Sequence, residues 1–134
     1  MNNLITKYQH KRLPKWLKTK LPGTQNFFQL KSLLKESGLN TVCESASCPN
    51  IGACWDAGTL TFMILGDTCT RACRFCDVPT GNLSSPDPNE PDKIALSLSQ
   101  LNLNFAVITS VDRDDLPDGG AGHWVKTIKA IRDL

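Results

Sequence analysis

Several signals that would make a function easy to read are scarce or missing from this chain. Its 134 residues include two histidines, His10 and His123, and one tyrosine. No apolar run approaches the ~20 residues needed to cross a bilayer; the longest, Leu60 to Leu65, is strand-sized. The opening Met-Asn-Asn-Leu-Ile-Thr-Lys has neither the apolar core nor the cleavage site of a secretory signal. The expectation is a soluble, cytoplasmic protein with no membrane partner. Acid is missing from the start: residues 1–34 carry Lys7, Lys11, Arg12, Lys15, Lys18, Lys20 and Lys31 without one Asp or Glu. The other residues hold eight bases against 13 acids, so the formal +2 conceals two oppositely charged parts. A basic start can be a solvated arm, a dock for an acidic partner, a mitochondrial transit peptide or a nucleic-acid arm. Pro14 and Pro22 exclude one long amphipathic helix. Nucleic acid is disfavoured, because Tyr8 and Trp16 are the only aromatics among the bases up to Lys20.

Cysteine, by contrast, is abundant. Six cysteines allow 15 disulfide pairings, but without an export signal the compartment is expected to be reducing. They also fall into two tight triplets, which suggests metal.

Periodicity outlines an α/β chain. Phe27, Leu30, Leu33 and Leu34 predict a helix over Asn26–Leu39, capped by Thr24 or Asn26 and stopped by Gly38. Residues 40–58 are small, polar and without a core-forming period, so something else must order them. Leu60–Leu65 predicts a buried strand, turned by Gly66-Asp67 into the loop of the second triplet. A Pro-rich loop over 77–90 precedes a helix from Pro91 to about Leu103, with Ile94, Leu98 and Leu101 on one face. Phe105–Thr109 predicts a second strand. An acidic, Gly-rich loop over 111–122 leads to a helix from His123, with Trp124, Ile128, Ile131 and Leu134 about a turn apart. Strand, helix, strand, helix with continuously apolar strands is a parallel βαβ pattern. Two parallel strands cannot shield a sheet, so the fold is expected to continue past Leu134.

The second triplet, Cys69-Thr-Arg-Ala-Cys73-Arg-Phe-Cys76, is a C-x3-C-x2-C. Three thiolates on so short a loop can wrap one corner of an iron–sulfur cubane. Such clusters commonly take four cysteines, so three local ligands leave one iron open. Zinc favours paired C-x2-C or C/H elements, and neither histidine adjoins a triplet; zinc, disulfides or simple packing are the competing readings. With Phe75 before its last cysteine, the motif resembles the signature of the radical S-adenosylmethionine superfamily. It also follows the first buried strand, where barrel enzymes build their sites. The resemblance implies that the open iron binds S-adenosylmethionine and that an electron from the cluster cleaves it to a 5′-deoxyadenosyl radical. It also implies cofactor contacts from Phe75 and from the second strand's end, at Thr109 and Asp112.

The first triplet, Cys43-Glu-Ser-Ala-Ser-Cys48-Pro-Asn-Ile-Gly-Ala-Cys54, is a C-x4-C-x5-C. The pair of triplets resembles the lipoyl synthase family. Lys15-Trp-Leu-Lys18, Cys69 to Asp77, and Thr109-Ser-Val-Asp-Arg-Asp-Asp-Leu-Pro-Asp-Gly-Gly120 agree with it. That agreement also weakens the transit-peptide reading. The family implies two 4Fe–4S clusters. Cys69, Cys73 and Cys76 would hold the one that binds S-adenosylmethionine; Cys43, Cys48 and Cys54 would hold an auxiliary cluster consumed as sulfur source. The implied activity is that of a sulfurtransferase in lipoate biosynthesis and protein lipoylation, inserting sulfur at C6 and C8 of octanoyl groups. Implied partners are octanoylated lipoyl domains of 2-oxoacid dehydrogenase complexes, glycine cleavage H protein, and an electron donor such as flavodoxin or ferredoxin. The implied fold is the start of a partial TIM-type (β/α) barrel: a cysteine-rich extension over 1–58, then two β/α units over 59–134. The family's fourth auxiliary ligand, a serine in Arg-Ser-Ser-Tyr, has no match here, since Ser84-Ser85 does not fit. These residues alone are therefore expected to be inactive. The rival readings are another radical enzyme with an auxiliary cluster, such as a methylthiotransferase, and a non-catalytic iron–sulfur or zinc module.

Overall fold

The computed structural model describes residues 14–19, 21–101 and 106–134. Expectations touching Met1 to Lys7, Tyr8, His10, Lys11, Arg12, Lys20, Leu103 and Phe105 lie outside those residues. The architecture is α/β with a small three-stranded sheet. A short 3-10 turn, Lys15–Leu17, precedes α1 (Gln25–Ser37). β1 (Asn40–Thr41), α2 (Val42–Ser45), α3 (Ile51–Asp56) and β2 (Thr61–Ile64) follow. α4 (Glu90–Leu101), β3 (Val107–Ser110) and α5 (Ala121–Arg132) complete the order.

α1 forms where periodicity placed it. The Thr24 side chain accepts the Phe27 N–H at 3.2 Å, satisfying one of the donors orphaned at a helix start. Gly38, at φ 64°, closes the helix in the left-handed conformation that glycine adopts without Cβ conflict. Leu39 then donates to Leu34 O at 3.0 Å and buries its side chain beside it.

Residues 40–58 differ from expectation. β1 pairs antiparallel with β2, so the sheet has order β1-β2-β3 and is mixed; only β2 and β3 are parallel. Two short helices follow β1, and the second carries Trp55, fully buried against Phe27 with ring centroids 5.0 Å apart. One large anchor substitutes for the missing period: a single tryptophan buries enough apolar surface to hold six helical residues in place.

β2 is buried on both faces, with Phe62, Met63 and Ile64 all shielded, as a parallel strand between covering layers requires. α1, Leu39, Trp55, Leu60–Leu65, α4 and Val111 share one apolar core. Of the residues expected to line α5's inner face, Trp124 and Ile131 pack on this core, whereas Ile128 and Leu134 are exposed. Thr127, fully buried one turn after His123, replaces them and satisfies its hydroxyl on His123 O at 2.9 Å. The buried stripe of α5 is thus rotated toward polar residues that an apolar-only count passes over.

Leu65 ends β2 at φ 71°, a left-handed conformation that costs a non-glycine residue roughly 1–2 kcal/mol. Its N–H donates to Glu90 Oε2 at 2.9 Å, and its carbonyl accepts from Arg113 Nη1 at 3.0 Å. Glu90 and Arg113 are both nearly sealed from solvent. Each has a polar partner: Glu90 Oε2 meets His123 Nε2 at 2.6 Å, and Arg113 grips Asp115 with two bonds of 2.8 Å. Gly120 lies under Leu65; at φ 90°, a Cβ there would come within 2.4 Å of Leu65 Cδ1.

Replacing Glu90 with alanine strands the Leu65 N–H, and we expect a loss of about 1–3 kcal/mol. Glu90→Gln keeps an acceptor for Leu65 and should lose less than half as much. Denaturant midpoints of the two variants measure the difference, and equal losses would discount the bond to Leu65.

Candidate metal and cofactor site

The second triplet lies directly beyond the Leu65 turn. Gly66, at φ 106°, starts the loop. Cys69 is then fixed from two sides. Its N–H donates to Pro79 O at 2.9 Å, and Cys69 and Thr80 form a parallel bridge. On the other side, Thr70 N–H donates to Asp112 O at 3.1 Å. The Cys69 sulfur accepts two backbone N–H groups, from Asp112 at 3.3 Å and from Arg71 at 3.4 Å. Cys73 and Cys76, farther along, are exposed, and Phe75 between them is 93% exposed.

Cys69, Cys73, Phe75, Cys76, Thr109 and Asp112 line one cavity of about 220 Å³. The fold therefore gathers all the residues assigned to the second site from the sequence around a single pocket. β2–β3 pairing does this: Met63 stands opposite Thr109 and Ile64 opposite Ser110, so the loops leaving both strands emerge side by side. Trp124 Nε1 donates to Ser110 Oγ at 3.2 Å, coupling α5 to the pocket wall.

Arg71, inside the motif, makes a bidentate pair with Asp114 at 2.8 and 2.7 Å and lies 3.7 Å from Asp112. The Thr70 hydroxyl lies 2.8 Å from Asp114 Oδ2 and accepts the Asp114 N–H at 3.3 Å. The Arg71 bond, then Thr70, lowers the Asp114 carboxyl to about 2; the bond to Asp114, then the Asp112 charge, raises Arg71 above its ordinary value. Thr70, Arg71 and Asp114 stand inside the sequence motifs, but nothing in those motifs assigned them a role. The available signal was an arginine within the cysteine loop opposite an unusually acidic strand-end loop.

The first triplet has a different setting. Thr41 caps α2 by accepting the Glu44 N–H at 3.3 Å, which presents Cys43. Ser47, at φ 47°, turns the chain, and Cys48 N–H returns to Cys43 O at 3.0 Å. Cys54 is placed by its neighbour, the buried Trp55. Cys43 and Cys54 touch the core, and Val42 beside Cys43 forms part of the second triplet's pocket wall. α2 thus carries one residue of the second triplet's pocket wall, Val42, and one cysteine of the first triplet, Cys43.

All six cysteines are free thiols, and none is fully buried. Among the described residues, no three Cys, His, Asp or Glu side chains converge tightly enough to hold a metal ion. The donor chemistry nevertheless suits iron–sulfur clusters: two sets of three accessible thiols, one with a sulfur already accepting two amide hydrogens. His123, set aside in the sequence reading for adjoining neither triplet, is engaged by Glu90.

Comparison with known proteins decides the kinship. Residues 2–48 match the model of the N-terminal domain of lipoyl synthase of the radical SAM family. Lipoyl synthase of Porphyromonas gingivalis is 55% identical over 94% of this chain and 45% of its own length. That of Nitrosomonas eutropha is 57% identical over 90% of this chain and 38% of its own. Over nine-tenths of its length this chain is similar to lipoyl synthases. Its match is to the family's N-terminal portion. The lipoyl synthase of Methanocella arvoryzae agrees, at 54% identity over 90% of this chain and 41% of its own length. The chain therefore spans less than half the length of the lipoyl synthases it matches. Among the described residues, no helix is long and apolar enough to cross a membrane.

Asp114 provides a pH test of the Arg71 pair. Its carboxyl lies below its ordinary 3.8 in the folded chain, so the pair stabilises the loop fully above that value and fades as pH falls toward 2. A carbon-detected NMR titration should find Asp114 half-protonated near pH 2. A midpoint near 4 would mean that the pair does not persist in solution.

Proposed function

We propose that this chain is the part of a lipoyl synthase that carries the cysteine ligands of both its iron–sulfur clusters. The complete enzyme would insert two sulfur atoms, at C6 and C8, into octanoyl groups on lipoyl domains. The observation carrying this reading is identity above 50%, over nine-tenths of the chain, to proteins named lipoyl synthase. A match of that extent contains both triplets.

Cys69, Cys73 and Cys76 would hold the 4Fe–4S cluster that binds S-adenosylmethionine, and Cys43, Cys48 and Cys54 the auxiliary 4Fe–4S cluster. Bound there, these groups supply the radical chemistry that unactivated C–H bonds require, and the sulfur to be inserted. The chain's own work is to hold and shield them. Phe75, exposed at the pocket mouth, offers an edge for adenine; Thr109 and Asp112 offer polar atoms for the rest of the cofactor. Met63 and Val111 form an apolar floor that excludes water from one side of the pocket. Val42 on α2 lines the second triplet's pocket and precedes Cys43, a placement that supports the proximity that bond formation between a substrate carbon and a cluster sulfur demands.

The finer architecture follows from the same reading. Residues 59–134 would be the first two β/α units of a partial barrel, and 1–58 an extension bearing the auxiliary ligands. The two share one core, so the division is one of role. Expected partners are octanoylated lipoyl domains of 2-oxoacid dehydrogenases, the glycine cleavage H protein, and a flavodoxin or ferredoxin, in the cytoplasm.

The test uses the complete gene product, reconstituted anaerobically with iron and sulfide. Supplied with reductant, S-adenosylmethionine and an octanoylated lipoyl-domain peptide, it should yield 5′-deoxyadenosine and a peptide heavier by two sulfurs. Cys69→Ala should abolish both products, whereas Cys48→Ala should still release deoxyadenosine but add no sulfur. Deoxyadenosine without sulfur insertion by the unaltered protein would retain the superfamily and reject the lipoyl assignment in favour of a relative such as a methylthiotransferase.

A further inference from the structure

The three cysteines of the second triplet are not held alike. Cys69 is fixed through its backbone to Pro79 and through its sulfur to the Asp112 and Arg71 amides. Among the described residues, the one hydrogen bond made by residues 72–77 is internal, Cys76 N–H to Cys73 O at 3.0 Å. The amide of Asp112 can stay on the Cys69 sulfur only while the segment after β3 stays against the cysteine loop. The Thr70 N–H on Asp112 O holds it by backbone, and the pair of Arg71 with Asp114, reinforced by Thr70, clamps it through side chains. Both charged side chains are more than half exposed, 56% and 51%. Exposed ion pairs contribute little to folding, so stability is a poor reason for two parallel bonds and a shared threonine at this place. Fork-to-carboxylate geometry instead confers orientation.

We propose that the Arg71–Asp114 clasp is a positioning device that presets Cys69 as the fixed corner of the cysteine loop, onto which Cys73 and Cys76 close when a cluster binds. Arg71 and Asp114 themselves ligate nothing; they act through the Asp112 amide and the Cys69 sulfur. Partners of ligands outside the coordination sphere typically alter metal affinity tenfold to a hundredfold. The clasp should therefore show itself in cluster retention.

The proposal rests on the reading that Cys69, Cys73 and Cys76 hold a cluster. The experiment uses the complete gene product with Cys43, Cys48 and Cys54 changed to alanine, so that only the second site is loaded. The readout is the rate at which its cluster absorbance decays after addition of an iron chelator. Arg71→Ala and Asp114→Ala should each accelerate decay about tenfold to a hundredfold. The double variant should decay no faster than the worse single one, because the two residues act as one joint. Thermal midpoints should stay near the parent's. Unchanged decay in the single variants, or effects that multiply in the double, would overturn the clasp. Should an alanine variant lose its fold, Arg71→Lys carries the test: it keeps the charge without the fork. An intermediate decay rate is then expected, and a parent-like rate would overturn the proposal. If the parent takes up no cluster at these cysteines, the underlying reading fails and the clasp with it. A loaded parent with indifferent variants removes the clasp alone.

Discussion

The backbone of Leu65 is gripped from both sides by buried charge, and much of the molecule is organised around that grip. Its N–H is held by a glutamate from the start of α4, and its carbonyl by an arginine from the loop after β3. Glu90 in turn meets His123 on α5, and Leu65 rests on Gly120, where that helix begins. One strained residue thus joins the end of β2, two helices and the strand-end loop. Isolated buried charges would be expensive, but here each is hydrogen-bonded to polar partners. The cysteine loop starts at the next residue, so the direction in which it leaves the sheet is set by this joint.

Much of this was legible in the sequence because it followed simple periods. α1, β2 and α4 have apolar spacing that matches one helical face or a buried strand, and Thr24 and Gly38 mark the ends of α1 by chemistry that needs no tertiary context. The cysteine triplets and the Thr109–Asp112 strand end were legible as motifs, and the parallel register brings the second triplet and that strand end to one pocket. What escaped reading was encoded in long-range partners. β1 is two residues long, too short to show alternation, and exists because Met63 and Phe62 are available to pair with it. Trp55 gave no period, though it is a core anchor. Glu90, Arg113 and His123 look like ordinary surface residues until the fold brings them 25 to 48 residues across the chain to one another and to Leu65.

The two triplets differ in how much of their order is built in. In the first, Cys43 and Cys54 sit on short helices anchored by Thr41 and Trp55, Cys48 lies between them, and all three thiols are partly covered. In the second, one sulfur sits beneath two amides while the other two thiols face solvent.

The three tryptophans occupy three distinct surroundings. Trp16 is 80% exposed and Trp55 is sealed in the core. Trp124 bonds through its indole N–H to Ser110, which is itself part of the pocket wall. Each indole is therefore a separate optical probe. The solvent-facing one reports on the basic residues beside it, Lys15 and Lys18, the sealed one on the core, and the third, bonded to the pocket wall, should change its emission when the pocket is filled.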